Sequence, residues 1–211
     1  MTRLLYVTSS PQAPTVSYSR RVSDAFVAAY QRHHPDDEID CLDLWQEHLP
    51  EFGPVASAWK TKAMLGRPPS LAEEAEHQVV ELSIRRFLAA DKYVFSVPMW
   101  NFGIPYKLKH YFDVIVQPRH TFGLDPERGM VGLVPSTRPV QLILARAGVY
   151  APDSGAEAMD HQVPYLRMIL GFMGLNDVRI QIVEGTGAGP KAAEPMICAA
   201  MERAAEAGAN F

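Results

Sequence analysis

Short apolar segments alternate with amphipathic helical patterns along the whole chain, and this alternation restricts the fold more than any other feature of the sequence. Strands are expected at 4–8, 39–44, 92–98, 140–146 and 178–184. Helices are expected over about 18–33, 56–65, 70–90, 105–115, 160–173 and 190–207. Because alternating strands and helices form βαβ units, the chain is predicted to be an α/β protein with a mostly parallel sheet.

The apolar character of the strands indicates their order in the sheet. The first, third and fourth strands are almost continuous apolar runs, which is typical of strands covered on both faces. The second and fifth strands carry charged residues between apolar ones and are therefore expected at the edges. The order 2-1-3-4-5 satisfies both conditions and corresponds to a flavodoxin-like three-layer sandwich. A single domain over 1–211 is predicted, with its ligand at the carboxyl ends of the strands.

The composition argues against several classes of protein. The 24 acidic and 20 basic side chains give a net charge of −4, whereas nucleic-acid-binding proteins usually present a basic face. Two cysteines are too few for a disulfide framework or a four-cysteine metal site, and both are expected to be buried. The seven histidines show no metal-binding spacing, so no metal is predicted. The lack of an apolar run of ~18 residues and of a signal-peptide pattern predicts no membrane association and favours the cytoplasm.

A hydroxyl-rich loop, TSSPQAPTVSYS, joins the first strand to the first helix. The free N–H groups and positive dipole end of a helix N-terminus bind phosphate well, and serine hydroxyls add hydrogen bonds. The same serines also fit a simpler structural role, since Ser17 or Ser19 is a suitable N-cap. The loop contains neither G-x-x-x-x-G-K nor G-x-G-x-x-G, so it is not a P-loop or a dinucleotide fingerprint.

The loop PMWNFGIP, which follows the third strand, places large apolar side chains where the sheet meets solvent. A flat aromatic ligand fits such a wall, with Met99 and Trp100 in contact and Asn101 near its polar edge. Alternatively, the loop is a hydrophobic plug at the start of the next helix, with Phe102 packed as a staple. The residues themselves leave these two interpretations equally open.

The segment PMWNFGIPYKLKHYFDVIVQPRHTF closely resembles P-M-Y-N-F-x-I-P-x-x-L-K-x-x-x-D-x-x-x-x-x-x-x-T-F in the FMN-dependent NADH azoreductases, also called NADH:quinone oxidoreductases. LLYVTSS, PYLRMILGFMGLNDV and VEGTGAGP extend the resemblance over nearly the whole chain. It implies a flavodoxin-like homodimer that binds FMN. It also implies that NADH or NADPH reduces flavin N5 by hydride transfer and is then replaced by a quinone or azo compound, with ping-pong kinetics.

The resemblance assigns FMN-binding residues to three loops. The residues that match the phosphate cup are Ser10, Ser17, Tyr18 and Ser19. Those that match the isoalloxazine wall are Met99, Trp100, Asn101 and Phe102. The loop beside the flavin pyrimidine edge is matched by Ala145, Arg146, Ala147 and Gly148. Tyr18 replaces a glutamine, and Trp100 replaces a tyrosine and lacks its hydroxyl. Because Ala145 and Ala147 replace a serine and a glycine, backbone groups of the third loop are expected to bind the pyrimidine edge instead.

A substrate pocket over the flavin is also implied by the resemblance. Its residues are Phe122, Leu124, Tyr165 and Phe172, the last two often supplied in the family by the other subunit. Gly123-Leu124 stands where the family often has Arg-Tyr, so the substrate preference is expected to differ. Core packing is the alternative role for Tyr165 and Phe172. His120, next to the expected site, is a candidate proton relay.

The sequence thus predicts an FMN-dependent NAD(P)H:quinone oxidoreductase or azoreductase. The alternatives are an FMN reductase that passes electrons to free flavin or a protein, and a flavodoxin-type electron carrier that uses no nicotinamide. The absence of a G-x-S-x-G elbow argues against a serine hydrolase that would use Ser9 or Ser10. The sequence contains no motif that recognises the 2′-phosphate of NADPH, so NADH and NADPH remain alternatives. Arg119 and Arg146 are candidate contacts for that phosphate.

Overall fold

A five-stranded parallel sheet forms the centre of the computed structural model, which describes residues 1–211. Numbered along the chain, its strands are β1 (Arg3–Thr8), β2 (Glu38–Asp43), β3 (Lys92–Pro98), β6 (Val140–Ala145) and β7 (Val178–Val183), while β4 (Phe122–Asp125) and β5 (Gly129–Gly132) pair separately. The order β2-β1-β3-β6-β7 confirms the predicted flavodoxin-like arrangement. The strands with charged residues lie at the edges, because a charge on a fully covered strand would lose its hydration.

Six helices accompany the sheet. They are α1 (Tyr18–His33), α2 (Pro54–Met64), α3 (Leu71–Leu88), α4 (Tyr106–Ile115), α5 (Gln162–Met173) and α6 (Pro190–Ala209). α1 and α6 pack on one face of the sheet around a cluster that includes Phe26 and Ile197. α3, α4 and α5 pack on the other face around a larger cluster, so three layers form. None of the helices combines the length and the apolar character needed to cross a membrane.

The antiparallel hairpin of β4 and β5 was not predicted from the sequence. Each of its strands has only four residues, which is too short for an alternating pattern to stand out. Its turn does carry a local signal, since Asp125 Oδ1 accepts hydrogen bonds from the N–H groups of Glu127 and Arg128. Gly129, which ends the turn, has a positive φ of 77°. The hairpin packs against α5 on the same side of the sheet as α4.

Helices α3 and α4 begin within about one residue of the positions predicted from the residues at their starts. Ser70 caps α3 as predicted, and it forms a capping box with Glu73. Pro105 is the N-cap of α4 and not its first residue, so this helix begins one residue later than expected. Shifts of this size at helix ends leave the buried face of each helix unchanged.

The register of the sheet places three loops side by side. Thr8 pairs with Ser96, and Pro98 pairs with Ala145, so β1, β3 and β6 end at the same edge. The segments that follow these strands are 9–17, 99–105 and 146–161. In a sheet of this topology, ligands bind beyond the carboxyl ends of the strands, so these three segments are the first place to look for a functional site.

Candidate functional site

The loop between β1 and α1 presents unpaired donors around the start of the helix. Ser10, Ser17 and Ser19 are all buried, and the hydroxyls of Ser17 and Ser19 lie 3.3 Å apart. Ser17 is the N-cap residue, but its side chain makes no capping hydrogen bond, which argues against a purely structural role. The N–H groups of 18–20 have no acceptor within the chain. Amides without a protein acceptor that converge with serine hydroxyls in this way suit a phosphate.

Ser9 and Ser10 have different surroundings in this loop. Ser9 is fully buried, and its hydroxyl donates to Ser96 O at 2.9 Å, so it attaches the loop to β3. Ser10 Oγ accepts a hydrogen bond from Gln12 N at 3.3 Å. Neither serine is bonded to a histidine, so neither has the adjacent base that a serine nucleophile requires.

The residues from Trp100 to Gly103 form a tight turn after β3. Trp100 and Gly103 exchange two backbone hydrogen bonds, of 3.1 and 2.9 Å. The two central residues, Asn101 and Phe102, have positive φ angles of 46° and 68°. This conformation costs a residue with a side chain about 1–2 kcal/mol. Phe102 O accepts from His161 N at 3.0 Å, which holds the turn against the start of α5. Backbone strain held in place by its surroundings is typical of functional sites.

Three aromatic side chains form a corner beside this turn. The rings of Trp45 and Trp100 lie 5.9 Å apart, and the ring of Tyr106 lies 5.4 Å from that of Trp45. Trp45 also donates through Nε1 to Ser9 O at 3.0 Å, so it connects this corner to the serine-rich loop. Trp45 was not predicted as a site residue, although its position directly after the second strand was an available signal.

The third loop begins beside the second. Met99 N donates to Ala145 O at 2.8 Å, which joins the ends of β3 and β6. The N–H groups of Ala147 and Gly148 have no acceptor within the chain and are therefore free to bind a ligand. The N–H of Arg146 bonds to a β7 carbonyl, and its three guanidinium nitrogens bond to side chains. Arg146, predicted as a cofactor or 2′-phosphate contact, is therefore a buried residue whose donors are hydrogen-bonded within the chain.

A cleft of about 1020 Å³ opens beside the aromatic corner, between α4 and α5. Of the residues predicted for the site, it contains Trp100, Asn101 and Tyr165. Burial, assisted by the charge of Asp113, raises the pKa of Tyr165 to about 12. A phenol is protonated at neutral pH even at its ordinary pKa, and this shift extends that state to more alkaline pH, so Tyr165 is able to donate a hydrogen bond. A cleft with this mixture of apolar walls and polar groups is typical of small-molecule sites.

The other predicted substrate residues lie outside this cleft. The rings of Phe122 and Phe172 pack 4.9 Å apart, so Phe172 has the core contact that was its alternative role. Leu124 is exposed on β4 and, with Phe122, lines a second cavity of about 290 Å³. Within one chain, Tyr165 is therefore separated from Phe122 and Leu124, and the four residues do not form one pocket.

Two further expectations are corrected by the structure. His120 does not line the cleft, and its Nε2 lies 3.2 Å from Nε2 of His77 on α3. Cys41 and Cys198 are exposed rather than buried, because an edge strand and a surface helix each leave one side open to solvent. No group of three or more histidine, cysteine or acidic side chains is placed to hold a metal ion.

The sequence is similar to those of known flavoproteins. A family model described as having a flavodoxin-like fold matches residues 2–207. An FMN-dependent NADH:quinone oxidoreductase from Nitratidesulfovibrio vulgaris is 42% identical, with 100% of each chain covered. FMN-dependent NADH:quinone oxidoreductase 2 from Trichormus variabilis is 39% identical, again with 100% of each chain covered.

The structure is similar to solved azoreductases over its whole length. An azoreductase from Bacillus anthracis superposes with a TM-score of 0.89 at 34% identity, and 100% of each chain is covered. An FMN-dependent NADH-azoreductase from the same species, solved in complex with FMN, superposes with a TM-score of 0.87 at 25% identity. That comparison covers 100% of this chain and 99% of the other.

Proposed function

The chain belongs to the flavodoxin-like family of FMN-dependent NADH:quinone oxidoreductases and azoreductases, and we propose that it uses NADH to reduce quinones or azo compounds through bound FMN. One observation carries the proposal. The loops after β1, β3 and β6 present free hydrogen-bond donors and an aromatic wall at the same edge of the sheet. Trp45 connects the first two of these loops, so the donors and the wall belong to one site.

The residues at this edge fit the three parts of FMN. The N–H groups at the start of α1, with the hydroxyls of Ser10, Ser17 and Ser19, are suited to the phosphate. The segment Met99–Phe102 is suited to the flat ring system. The free N–H groups of Ala147 and Gly148 are suited to the polar edge of the ring. The family resemblance assigns the same three functions to these three loops.

FMN, when bound, accepts a hydride and passes electrons on, which is chemistry that no side chain supplies. The chain itself binds and orients the reactants. Donors at the helix N-terminus favour the negative charge of the phosphate. The N–H groups of Ala147 and Gly148 would donate to the polar edge of the ring and would favour negative charge there. Tyr165, protonated in the cleft, donates a hydrogen bond to a quinone oxygen or azo nitrogen.

The active form in this proposal is a homodimer in which the partner completes each site. Exposed apolar side chains surround the cleft, among them Phe102, Tyr106 and Met168. Grouped apolar exposure of this kind marks interaction surfaces, and two-fold dimers are the commonest assembly. A second subunit over the cleft would exclude water from the ring. It would also bring pocket residues that are separated in one chain to the same site.

Anaerobic titration of the purified protein reconstituted with FMN tests the proposed activity. The expected result is a yellow protein that NADH bleaches and that a quinone or an azo dye re-oxidises, with NADPH measured in parallel. Bleaching by dithionite alone would instead identify an electron carrier. Electron transfer to free flavin alone would identify an FMN reductase. A protein that takes up no FMN would contradict every flavin-based function.

A further inference from the structure

Arg146 is a fully buried arginine at the end of β6, with only 2% of its surface exposed. Its guanidinium reaches three side chains. Nε donates to Gln162 Oε1 at 3.0 Å, Nη1 to Glu184 Oε1 at 3.0 Å and Nη2 to Asp160 Oδ2 at 2.9 Å. A planar group with donors in fixed directions holds three such acceptors at once, which the point charge of a lysine does not do.

Glu184 extends this anchoring to the third loop. Its Oε1 accepts a hydrogen bond from Tyr150 N at 3.0 Å in addition to the bond from Arg146. The free N–H groups of Ala147 and Gly148 lie between these two attachment points along the chain. Gly187 N and Gly185 N donate to Ala147 O and Gly148 O, each at 3.0 Å, so the direction of the free N–H groups depends on these backbone bonds together with the two held ends of the segment 146–150.

Asp160 extends the anchoring to the second loop. Its Oδ1 accepts from the N–H groups of Gln162 and Val163 and so caps the start of α5. The neighbouring His161 donates its N–H to Phe102 O at 3.0 Å. The strained turn at Phe102 is thus connected to Arg146 through Asp160 and the adjacent backbone.

The charges of this cluster make the arginine indispensable to the arrangement. Two carboxylates, those of Asp160 and Glu184, face a single guanidinium in a largely buried site. Removing the positive charge would leave two unpaired carboxylates there, which is strongly destabilising in a buried environment. The surrounding loops would have to move to expose them to water.

We propose that Arg146 is a positioning residue that sets the geometry of the second and third of the three flavin-binding loops through Asp160 and Glu184. This inference rests on the proposed FMN site. The alignment of the Ala147 and Gly148 N–H groups determines how well the negative charge that reduction places on the ring is stabilised. Arg146 therefore influences both the affinity for FMN and its reduction potential without touching the cofactor.

The first test compares Arg146→Lys with Arg86→Lys. Arg86 also binds carboxylates, those of Asp40 and Glu47, but it lies on α3 away from the three loops. FMN affinity of each apoprotein is measured by fluorescence quenching, and the midpoint potential of bound FMN by reductive titration against reference dyes. Arg146→Lys is expected to weaken FMN binding about tenfold, as losses of supporting contacts around a bound group commonly do. Its potential should become more negative, while Arg86→Lys keeps both wild-type values.

Glu184→Ala provides a second variant, because it removes the oxygen that accepts from both Arg146 Nη1 and Tyr150 N. FMN binding should weaken as in Arg146→Lys, and the potential should differ from the wild-type value. If Arg146→Lys does not fold, as judged by circular dichroism, this variant decides alone. Wild-type potential and affinity in the folded variants overturn the inference. A wild-type protein that binds no FMN instead overturns the proposed function.

Discussion

At Asn101 and Phe102, the backbone adopts a left-handed conformation that glycine would adopt at lower cost. The Phe102 ring gains little from folding in return, since 42% of its surface is exposed. A residue that is both strained and exposed in the single chain is explained by contact with a ligand or a partner. The motif around it was recognised from the sequence, but its strain became visible only in the turn geometry.

Replacing Phe102 with glycine is expected to stabilise the apoprotein and weaken FMN binding. Relief of left-handed strain is worth about 1 kcal/mol, which corresponds to a rise in Tm of about 2–4 °C for a chain of this size. Phe102→Ala is the matched control, because it removes the ring and keeps the strain. Both variants should bind FMN more weakly, but only the glycine variant should melt higher. A lower Tm with unchanged FMN affinity in Phe102→Gly would contradict this explanation.

Replacing Ser19 with alanine is expected to weaken the binding of FMN but not that of riboflavin, which lacks the phosphate. A hydrogen bond to a charged group contributes about 1.5–3 kcal/mol, so FMN affinity should fall by about 10- to 100-fold. Isothermal titration of the apoprotein with each flavin measures the difference. Ser57→Ala, which changes an exposed serine on α2, serves as the control and should leave both affinities unchanged. Equal losses for FMN and riboflavin would place the serine away from the phosphate.

At the scale of elements, the β4–β5 hairpin depends on a close approach to the end of α5. A Cβ at Gly132 would lie 2.3 Å from Gly174 N, so only glycine allows the two backbones to pack as they do. Val134 N then donates to Met173 O at 2.9 Å and secures the segment after the hairpin. The position of Leu124, which was predicted to belong to the substrate pocket, follows from this packing.

The substitution Gly132→Ala is expected to destabilise the protein by about 1–3 kcal/mol, the usual cost of overpacking. The KM for a quinone should also rise, because the hairpin that carries Leu124 has to move. Urea unfolding and steady-state kinetics measure the two effects. Gly53→Ala is the control, since no atom lies within 4 Å of the added methyl group there. Wild-type stability in Gly132→Ala would show that α5 and the hairpin separate easily.

A pair of histidines connects α3 to the segment after α4 and is expected to make stability depend on pH. Burial lowers the pKa of both His77 and His120, so both remain neutral in the folded protein at pH values where the unfolded chain binds protons. Stability should therefore fall as the pH drops below about 6.5, the ordinary histidine value. Urea unfolding at about pH 7.5 and about pH 5.5 measures this loss.

The variant His120→Gln should show a smaller loss of stability between these two pH values. His48→Gln, which changes an exposed histidine, should retain the wild-type dependence. If His120→Gln loses as much stability on acidification as the wild type, the pair is not the source of the pH dependence.

The whole molecule has two covered sheet faces and one functional edge. α1 and α6 close one face, while α3, α4 and α5 close the other and leave the large cleft open to solvent. Met168, on the wall of this cleft, has 63% of its surface exposed. An open apolar cleft next to the proposed FMN site is expected to be covered by a second subunit in solution.

Introducing a charge with Met168→Glu is expected to convert the proposed dimer into monomers, because an unpaired carboxylate in an apolar interface loses its hydration. Sedimentation equilibrium measures the oligomeric state, and NADH:quinone turnover should fall with it. Met196→Glu, on α6 at the opposite face, should remain dimeric and active. A wild-type protein that is monomeric and fully active would contradict the dimer proposal.

Local patterns in the sequence were sufficient for the sheet order, and the sheet order in turn indicated the edge at which the three loops meet. The burial of strands such as VQLILA can be predicted from their composition, because a strand covered on both faces is apolar throughout. The PMWNFGIP loop left a ligand wall and a hydrophobic plug equally open by its composition, and only the resemblance to the azoreductases favoured the wall. Adjacent residues carry these signals, so no knowledge of distant contacts was needed.

Only the tertiary structure decided which hydrogen-bond donors are free to bind a ligand and which are already bonded within the chain. Arg146 was expected to contact the cofactor, but it lies among acidic partners that are 14 and 38 residues further along the chain. Trp45 likewise became a site residue only because the sheet register sets it against Trp100. In both cases the decisive contact joins residues far apart along the chain, and such contacts depend on how the elements pack rather than on the local pattern of residue types.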